Sequence, residues 1–179
     1  IDEYLLIYTT LNDKIERFDK RIEELHQKMN QGICSETRCF IGVRTHTALS
    51  VLVEVGDSIV LQVQELASYL GLVPGENTSS GDRNLLGIPK LAIDMLLIAK
   101  EAAQSYARGQ IGYKSKDLKS KQSGNSAQVI GYADKANERL RRRYYKMVLG
   151  QSKKHNVAKV AVARELACFM WGMMTEHIS

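Results

Sequence analysis

Five cations fall within eight residues: Arg139, Arg141, Arg142, Arg143 and Lys146, with Tyr144 and Tyr145 among them. Guanidinium forks grip phosphate oxygens in two-point contacts, and tyrosines can stack on unpaired bases or bond backbone oxygens. Lys114, Lys116, Lys119 and Lys121 lie upstream. Alone they read as readily as a solvated surface as they do as phosphate contacts. Between Arg108 and Lys159 there are 14 Lys/Arg against 3 Asp/Glu, whereas the rest of the chain holds 11 against 17. The net charge of +5 therefore conceals a strongly basic third. Such asymmetry points to a polyanion, because neutralising phosphates releases condensed counterions. Other chemistries are poorly supplied. Cys34, Cys39 and Cys168 are odd in number and lack paired metal spacing, which argues against a disulfide framework or a zinc site. His46 has no Cys or carboxylate at ligand spacing and reads as a turn or capping residue.

The elements that must carry these groups read as helices. With 44% apolar residues, 13 Gly and 2 Pro, the chain of 179 residues is globular in composition and has few obligatory breaks. Tyr4, Tyr8, Leu11, Ile15, Phe18, Ile22, Leu25 and Met29 alternate in steps of four and three, the seam of a coiled coil. One helix cannot bury such a stripe alone, so a partner helix is implied, with Gly32 as the stop. This divides the chain into a coiled-coil linker over 1–31 and a compact helical domain over 32–179. Ile41-Gly42-Val43-Arg44-Thr45-His46-Thr47-Ala48-Leu49 puts a glycine turn before an apolar helix. It is similar to half of a helix-hairpin-helix, whose free N–H groups can hold a phosphate. Further helices are expected over 59–72, 91–107 and 128–149, with a polar loop over 76–84 and a turn at 123–126. Residues 157–174 are apolar on nearly every face, so this last helix is central and its methionines are core. No alternation of strand type persists. The fold class is all-α. No apolar run approaches the roughly 18 residues of a membrane span and no signal peptide is visible, so no membrane partner and a cytoplasmic setting are expected.

Several separated motifs resemble one family in the right order. Leu70-Gly71-Leu72-Val73-Pro74-Gly75-Glu76, Ser79-Ser80-Gly81 and Gly87-Ile88-Pro89-Lys90 form the first group. Tyr132 to Leu140, and Asn156-Val157-Ala158 through Ala163–Cys168 to Trp171–Met174, form the second. Together they resemble the C-terminal domain of the DEDD-type insertion-sequence transposases (the one-ten and one-eleven-eleven branch), which are bridge-RNA-guided serine recombinases. Thr45–Leu49 fits that family's hairpin segment, and the heptads fit its inter-domain coiled coil.

The resemblance implies a DNA strand-transfer enzyme in two halves, nucleoid-associated in a bacterial or archaeal cell when active. An N-terminal RuvC-like domain, absent from this chain, would supply four acidic residues for a divalent metal, Mg by expectation. No metal or other cofactor is expected in the part present. The C-terminal half would supply a serine that becomes transiently joined to DNA, with a structured guide RNA choosing the sites. By the family pattern Ser80 is the nucleophile, with Ser79 as the fallback. Arg83 and Lys90 could offset charge on the pentacovalent transition state. Self-association through the coiled coil, as dimer or tetramer, is expected.

Two segments depart from the family pattern. After Lys90 the family has Gly-Asn and then a helical Arg, where this chain has Leu91-Ala92-Ile93-Asp94-Met95-Leu96-Leu97. After Gly56-Asp57 it has an aromatic and then Arg-Phe, where Ser58-Ile59-Val60-Leu61 stands. Both segments read as short frame-shifted patches, which would make this a decayed copy with impaired strand transfer. Family-like residues in the neighbouring DNA frame across codons 58–66 and 91–97 would confirm the idea, and their absence would refute it. Two further readings compete with a recombinase. A non-catalytic helical nucleic-acid scaffold leaves Ser80 incidental, and a purely structural coiled-coil protein leaves the basic third unexplained.

Overall fold

Residues 127–145 place Val129, Ala133, Ala136, Leu140 and Tyr144 at steps of four and three, so one stripe of a helix is apolar while its opposite side carries the charges. In the computed structural model, which describes residues 2–28, 31–56, 76–79, 82–85 and 100–178, this stripe is buried and the charged side faces out. Six helices carry the described fold: α1 (Asp2–Lys28), α2 (Gln31–Thr37), α3 (Thr45–Gly56), α4 (Lys116–Gln122), α5 (Ala127–Tyr145) and α6 (His155–Met174). Residues 100–104 are helical and run into a 3-10 turn at Ser105–Ala107, and α5 continues into a π-helical turn at Lys146–Gly150. The expected helix over 59–72, and 91–99 of the expected helix over 91–107, lie outside the described residues, as do both segments that depart from the family pattern.

The chain is all-α. The one departure among the described residues is a short antiparallel hairpin, β1 (Glu76–Ser79) with β2 (Asp82–Leu85), where the sequence suggests a polar loop. Its register pairs Glu76 with Leu85 and Ser79 with Asp82. Asn, Ser and Asp are poor strand formers, which is why these segments do not read as strands. The two-residue spacing with a glycine is nevertheless what a minimal hairpin takes.

α5 and α6 pack against each other to form the centre of the core. Ala133 and Ala136 on α5, and Ala158, Ala163 and Ala167 on α6, are buried, and such small side chains let two backbones approach. Gly172 goes further: a Cβ there would stand 2.6 Å from the Tyr132 hydroxyl. The methionines of α6 are core as expected, with Met170, Met173 and Met174 buried beside Trp171. Phe40, Val43 and Tyr106 close the other side of this core, and each is wholly buried. Burial of a Phe or Val side chain contributes about 1.5–3 kcal/mol.

One polar node pins the connecting segments to α5. Asn137 is buried, and its Oδ1 accepts from the Ile41 N–H (2.9 Å) and the Tyr106 hydroxyl (2.7 Å). Its Nδ2 donates to the Cys39 carbonyl at 3.1 Å. The turn after α2 and the 3-10 turn are thereby fixed to the same side chain. Capping fixes the starts of α4 and α5. Ser115 Oγ accepts from the Leu118 N–H, and Ser126 Oγ accepts from the Val129 N–H.

α1 has a different environment. Tyr4, Tyr8, Leu11, Ile15 and Phe18 are all exposed, Phe18 by 61%, so this part of the apolar stripe is uncovered by any described residue, whereas Ile22 is half-buried. Gly32, which the sequence suggests as the end of the first helix, is instead the second residue of α2. A glycine costs a helix only about 1 kcal/mol relative to alanine, less than tertiary packing can return.

Burial pushes the thiols of Cys34 and Cys39 up to about 11 and raises that of Cys168. Thiolate formation therefore opposes folding. The stability these neutral thiols contribute is full below about pH 9, the unfolded value, and is lost as pH rises through about 11. Chemical denaturation between pH 8 and 11 should show this decline, and a Cys34→Ala, Cys39→Ala variant should show a flatter one. Equal slopes would contradict it.

Candidate nucleic-acid interface

The solvent face of α5 and its π-helical continuation presents Lys135, Glu138, Arg139, Arg142, Arg143 and Lys146, positions that helical periodicity stacks in one row. All six are exposed. Glu165 on α6 holds two of the guanidiniums: Arg139 Nε donates to its Oε1 at 2.5 Å, and Arg143 Nη1 lies 3.2 Å from its Oε2. The arginines remain 68% and 48% exposed while the carboxylate is only 14% exposed, so the cations form the outer layer. Arg139 also lies 6.0 Å from the centre of the Phe169 ring. Arg142 pairs with Glu138 through Nε and Nη2, at 3.0 and 2.6 Å. Five cations thus face two carboxylates. Exposed pairs of this kind contribute about 0–1 kcal/mol each, so a polyanion can compete for these donors.

Arg141 departs from the group that the sequence assembles. It falls on the apolar side of α5, is 6% exposed, and its Nη1 donates to the carbonyls of Gln110 and Tyr113. Its position, one residue past Leu140 and three before Tyr144, is the signal that separates it from its neighbours. Arg141 is a brace for the 109–113 turn. Arg141→Ala should therefore lower the melting temperature by several degrees, while Arg142→Ala should leave it unchanged and weaken nucleic-acid binding instead. Thermal melts and a binding titration on both variants check this, and a reversed pattern would contradict it.

The tyrosines are also committed. Tyr144 is buried, with its hydroxyl 2.7 Å from His155 Nδ1, and Tyr145 donates to the Gly109 carbonyl at 2.9 Å. Tyr144 is not offered to a base. Among the upstream lysines, Lys114 is half-buried and bonded to Asp134 and to Gln122 Oε1, so it braces α4 against α5. Lys121 pairs with Asp117 at 2.7 Å and is 16% exposed, whereas Lys116 and Lys119 are exposed on α4.

The serine region is described in part. Ser79 ends β1, paired with Asp82, and Arg83 stands on β2 opposite Thr78. Ser80 and Lys90 lie outside the described residues. Two arginines that were not singled out in the sequence, Arg44 and Arg108, line one polar groove beside the start of α3. The turn that brings them together rests on Gly42, at φ +81°, where a Cβ would stand 2.4 Å from the Ala102 carbonyl oxygen.

Among the described residues no three His, Cys, Asp or Glu gather as a metal site, and no described helix is long and apolar enough to cross a membrane. The molecule is thus an all-α protein with a cationic row on one central helix. Its sequence is 34% identical over 155 residues to "Putative transposase y4qE" of Sinorhizobium fredii (strain NBRC 101917 / NGR234), covering 84% of this chain. The chain is a transposase homologue at that level, and it spans 38% of the length of that relative. No family model and no solved structure matches it.

Proposed function

We propose that the chain is the C-terminal part of a DEDD-type insertion-sequence transposase, binding DNA and a structured guide RNA and supplying Ser80 for strand cleavage and exchange. The observation that carries this reading is the similarity to a transposase relative over 155 residues. The family-like motifs at 70–90, 132–140 and 156–174 support the finer assignment. Cationic side chains on α5 and α4, namely Arg139, Arg142, Arg143, Lys146, Lys116 and Lys119, hold the nucleic-acid backbone in this reading.

The chemistry balances as a transesterification. The Ser80 oxygen attacks phosphorus, a new P–O bond forms, the bond to one sugar oxygen breaks, and the serine proton ends on the departing hydroxyl. A second DNA hydroxyl then attacks the phosphoserine and restores Ser80. Arg83 and Lys90 supply positive charge where oxygen charge develops. In this reading a divalent metal would be held by the acidic residues of a RuvC-like half, and no step here runs through it. The exposed stripe of α1 pairs subunits in this reading, as dimer or tetramer.

The test is a strand-exchange reaction with the whole transposase, DNA carrying the element's ends, and the RNA transcribed from its flank. Recombinant strands should form only with all three present. Their formation without RNA would remove the guide from the account, and their absence in every combination would overturn it.

A further inference from the structure

A carboxylate on a surface that binds phosphate opposes that binding unless it serves the cations around it. α6 carries a single acidic residue, Glu165, and the helix sets it against the arginine row of α5. Its side chain is 14% exposed, and its Oε2 is buried and accepts no hydrogen bond, with Arg143 Nη1 3.2 Å away as its ion-pair partner. Holding a charge in such a place opposes folding unless cations compensate it. Arg139 and Arg143 stand one helical turn apart on α5, and both reach this one carboxylate.

The contact to Arg139 is selective. Glu165 Oε1 takes the Nε–H at 2.5 Å, and neither Nη group is bonded to a described residue. Phe169, one turn beyond Glu165 on α6, lies against the same guanidinium, 6.0 Å from ring centre to Cζ. Phe169 is itself fixed: its ring meets Tyr132 edge-on at 5.9 Å, and its carbonyl accepts from the Tyr132 hydroxyl at 3.3 Å. Arg139 is thus gripped at Nε and against the ring, while its Nη fork stays available on a side chain 68% exposed. Arg142 shows the opposite case. Glu138, four residues earlier on the same helix, engages both its Nε and its Nη2, the edge with which a guanidinium would grip a phosphate.

We infer that Glu165 is a positioning residue of the α5 face, holding Arg139 and Arg143 as a preformed pair that closes on one backbone phosphate. A long side chain loses rotamer freedom when it binds, and prior anchoring removes that cost from the binding step. The inference rests on the reading that the chain binds nucleic acid. It carries an unusual sign: deleting a negative charge from a phosphate-binding surface should weaken binding. A purely coulombic role predicts the reverse.

Fluorescence anisotropy of the full chain with a labelled DNA duplex and a labelled RNA hairpin, across a salt series, tests it. Glu165→Ala should weaken binding about fivefold. Glu165→Gln keeps the shape, and so serves where alanine fails to fold. It retains the acceptor for Arg139 but not the charge that holds Arg143, so a loss of about twofold is expected. Glu138→Ala should bind as wild type or up to about twofold more tightly, because it frees Arg142. The decisive comparison repeats the Glu165 variants on an Arg139→Ala, Arg143→Ala background, where no further weakening is expected. Equal weakening in both backgrounds would assign Glu165 to the fold and overturn the inference. Tighter binding and a steeper salt dependence in the Glu165 variants would reduce it to a local negative charge and overturn it as well. The function stands in both cases, provided that the double-arginine variant loses affinity. If the wild-type chain binds neither nucleic acid, that reading falls and the inference with it.

Discussion

Ser80→Ala is expected to abolish strand exchange by the whole transposase, by about 10³-fold or more, while leaving nucleic-acid affinity within about twofold. The variant removes one oxygen. In the proposed reaction that oxygen forms the covalent bond to DNA, so no other interaction can substitute for it. Binding, in the same proposal, is carried by cations elsewhere in the chain. Ser79→Ala separates the two serines. Ser79 sits at the end of β1 in register with Asp82, and its replacement should cost far less than that of Ser80. Gel-resolved products together with a binding titration read both effects. Retained exchange in Ser80→Ala, with loss in Ser79→Ala, would move the chemistry by one residue. Retained exchange in both would leave a helical nucleic-acid scaffold in which the serines are incidental.

Asn137→Ala should be the most damaging single change in the described core. The side chain makes three bonds from a site only 5% exposed, and two of the partners are backbone groups, the Ile41 N–H and the Cys39 carbonyl. Alanine leaves the Ile41 N–H without that partner and also strands the Tyr106 hydroxyl, which is wholly buried, while the Cys39 carbonyl keeps its bond from Gln122 Nε2. Each of the two orphaned groups costs about 1–3 kcal/mol, which sums to about 2–6 kcal/mol here and a melting temperature lower by about 10 °C. Tyr106→Phe removes a single bond and leaves the amide paired with Ile41 and Cys39, so about 1 kcal/mol is expected. Urea denaturation of the two variants should show that order. Equal small losses would mean that the node does not hold the turn after α2.

The helical core was legible because periodicity is a direct record of which side chains leave water. Val129, Ala133, Ala136, Leu140 and Tyr144 announce one face of α5, and the all-round apolar run of α6 announces a central helix. Arg141 was obscured by its neighbours. Within an Arg-Arg-Arg run, charge is the conspicuous signal, whereas the burial of one member depends on the carbonyls of Gln110 and Tyr113, which only the folded chain supplies. The Arg44–Arg108 groove was hidden for a similar reason. Its two arginines are 64 positions apart in the chain, and what unites them is the close fit of Gly42 against Ala102 and Ser105. The hairpin at 76–85 was missed because strand propensity depends on pairing context, and its polar residues imitate a loop. For Ser80, nothing in its local chemistry distinguishes it from another turn serine. Its assignment comes from the motif order alone.

The proposed reaction would leave one direct mark, a covalent bond between protein and DNA. Whole transposase incubated with guide RNA and a nicked substrate that cannot religate should accumulate a species surviving denaturation, and digestion with mass spectrometry should place the nucleotide on the peptide containing Ser80. Ser80→Ala should yield no such species. Strand exchange that proceeds without any adduct, or an adduct mapped to a different residue, would contradict the account.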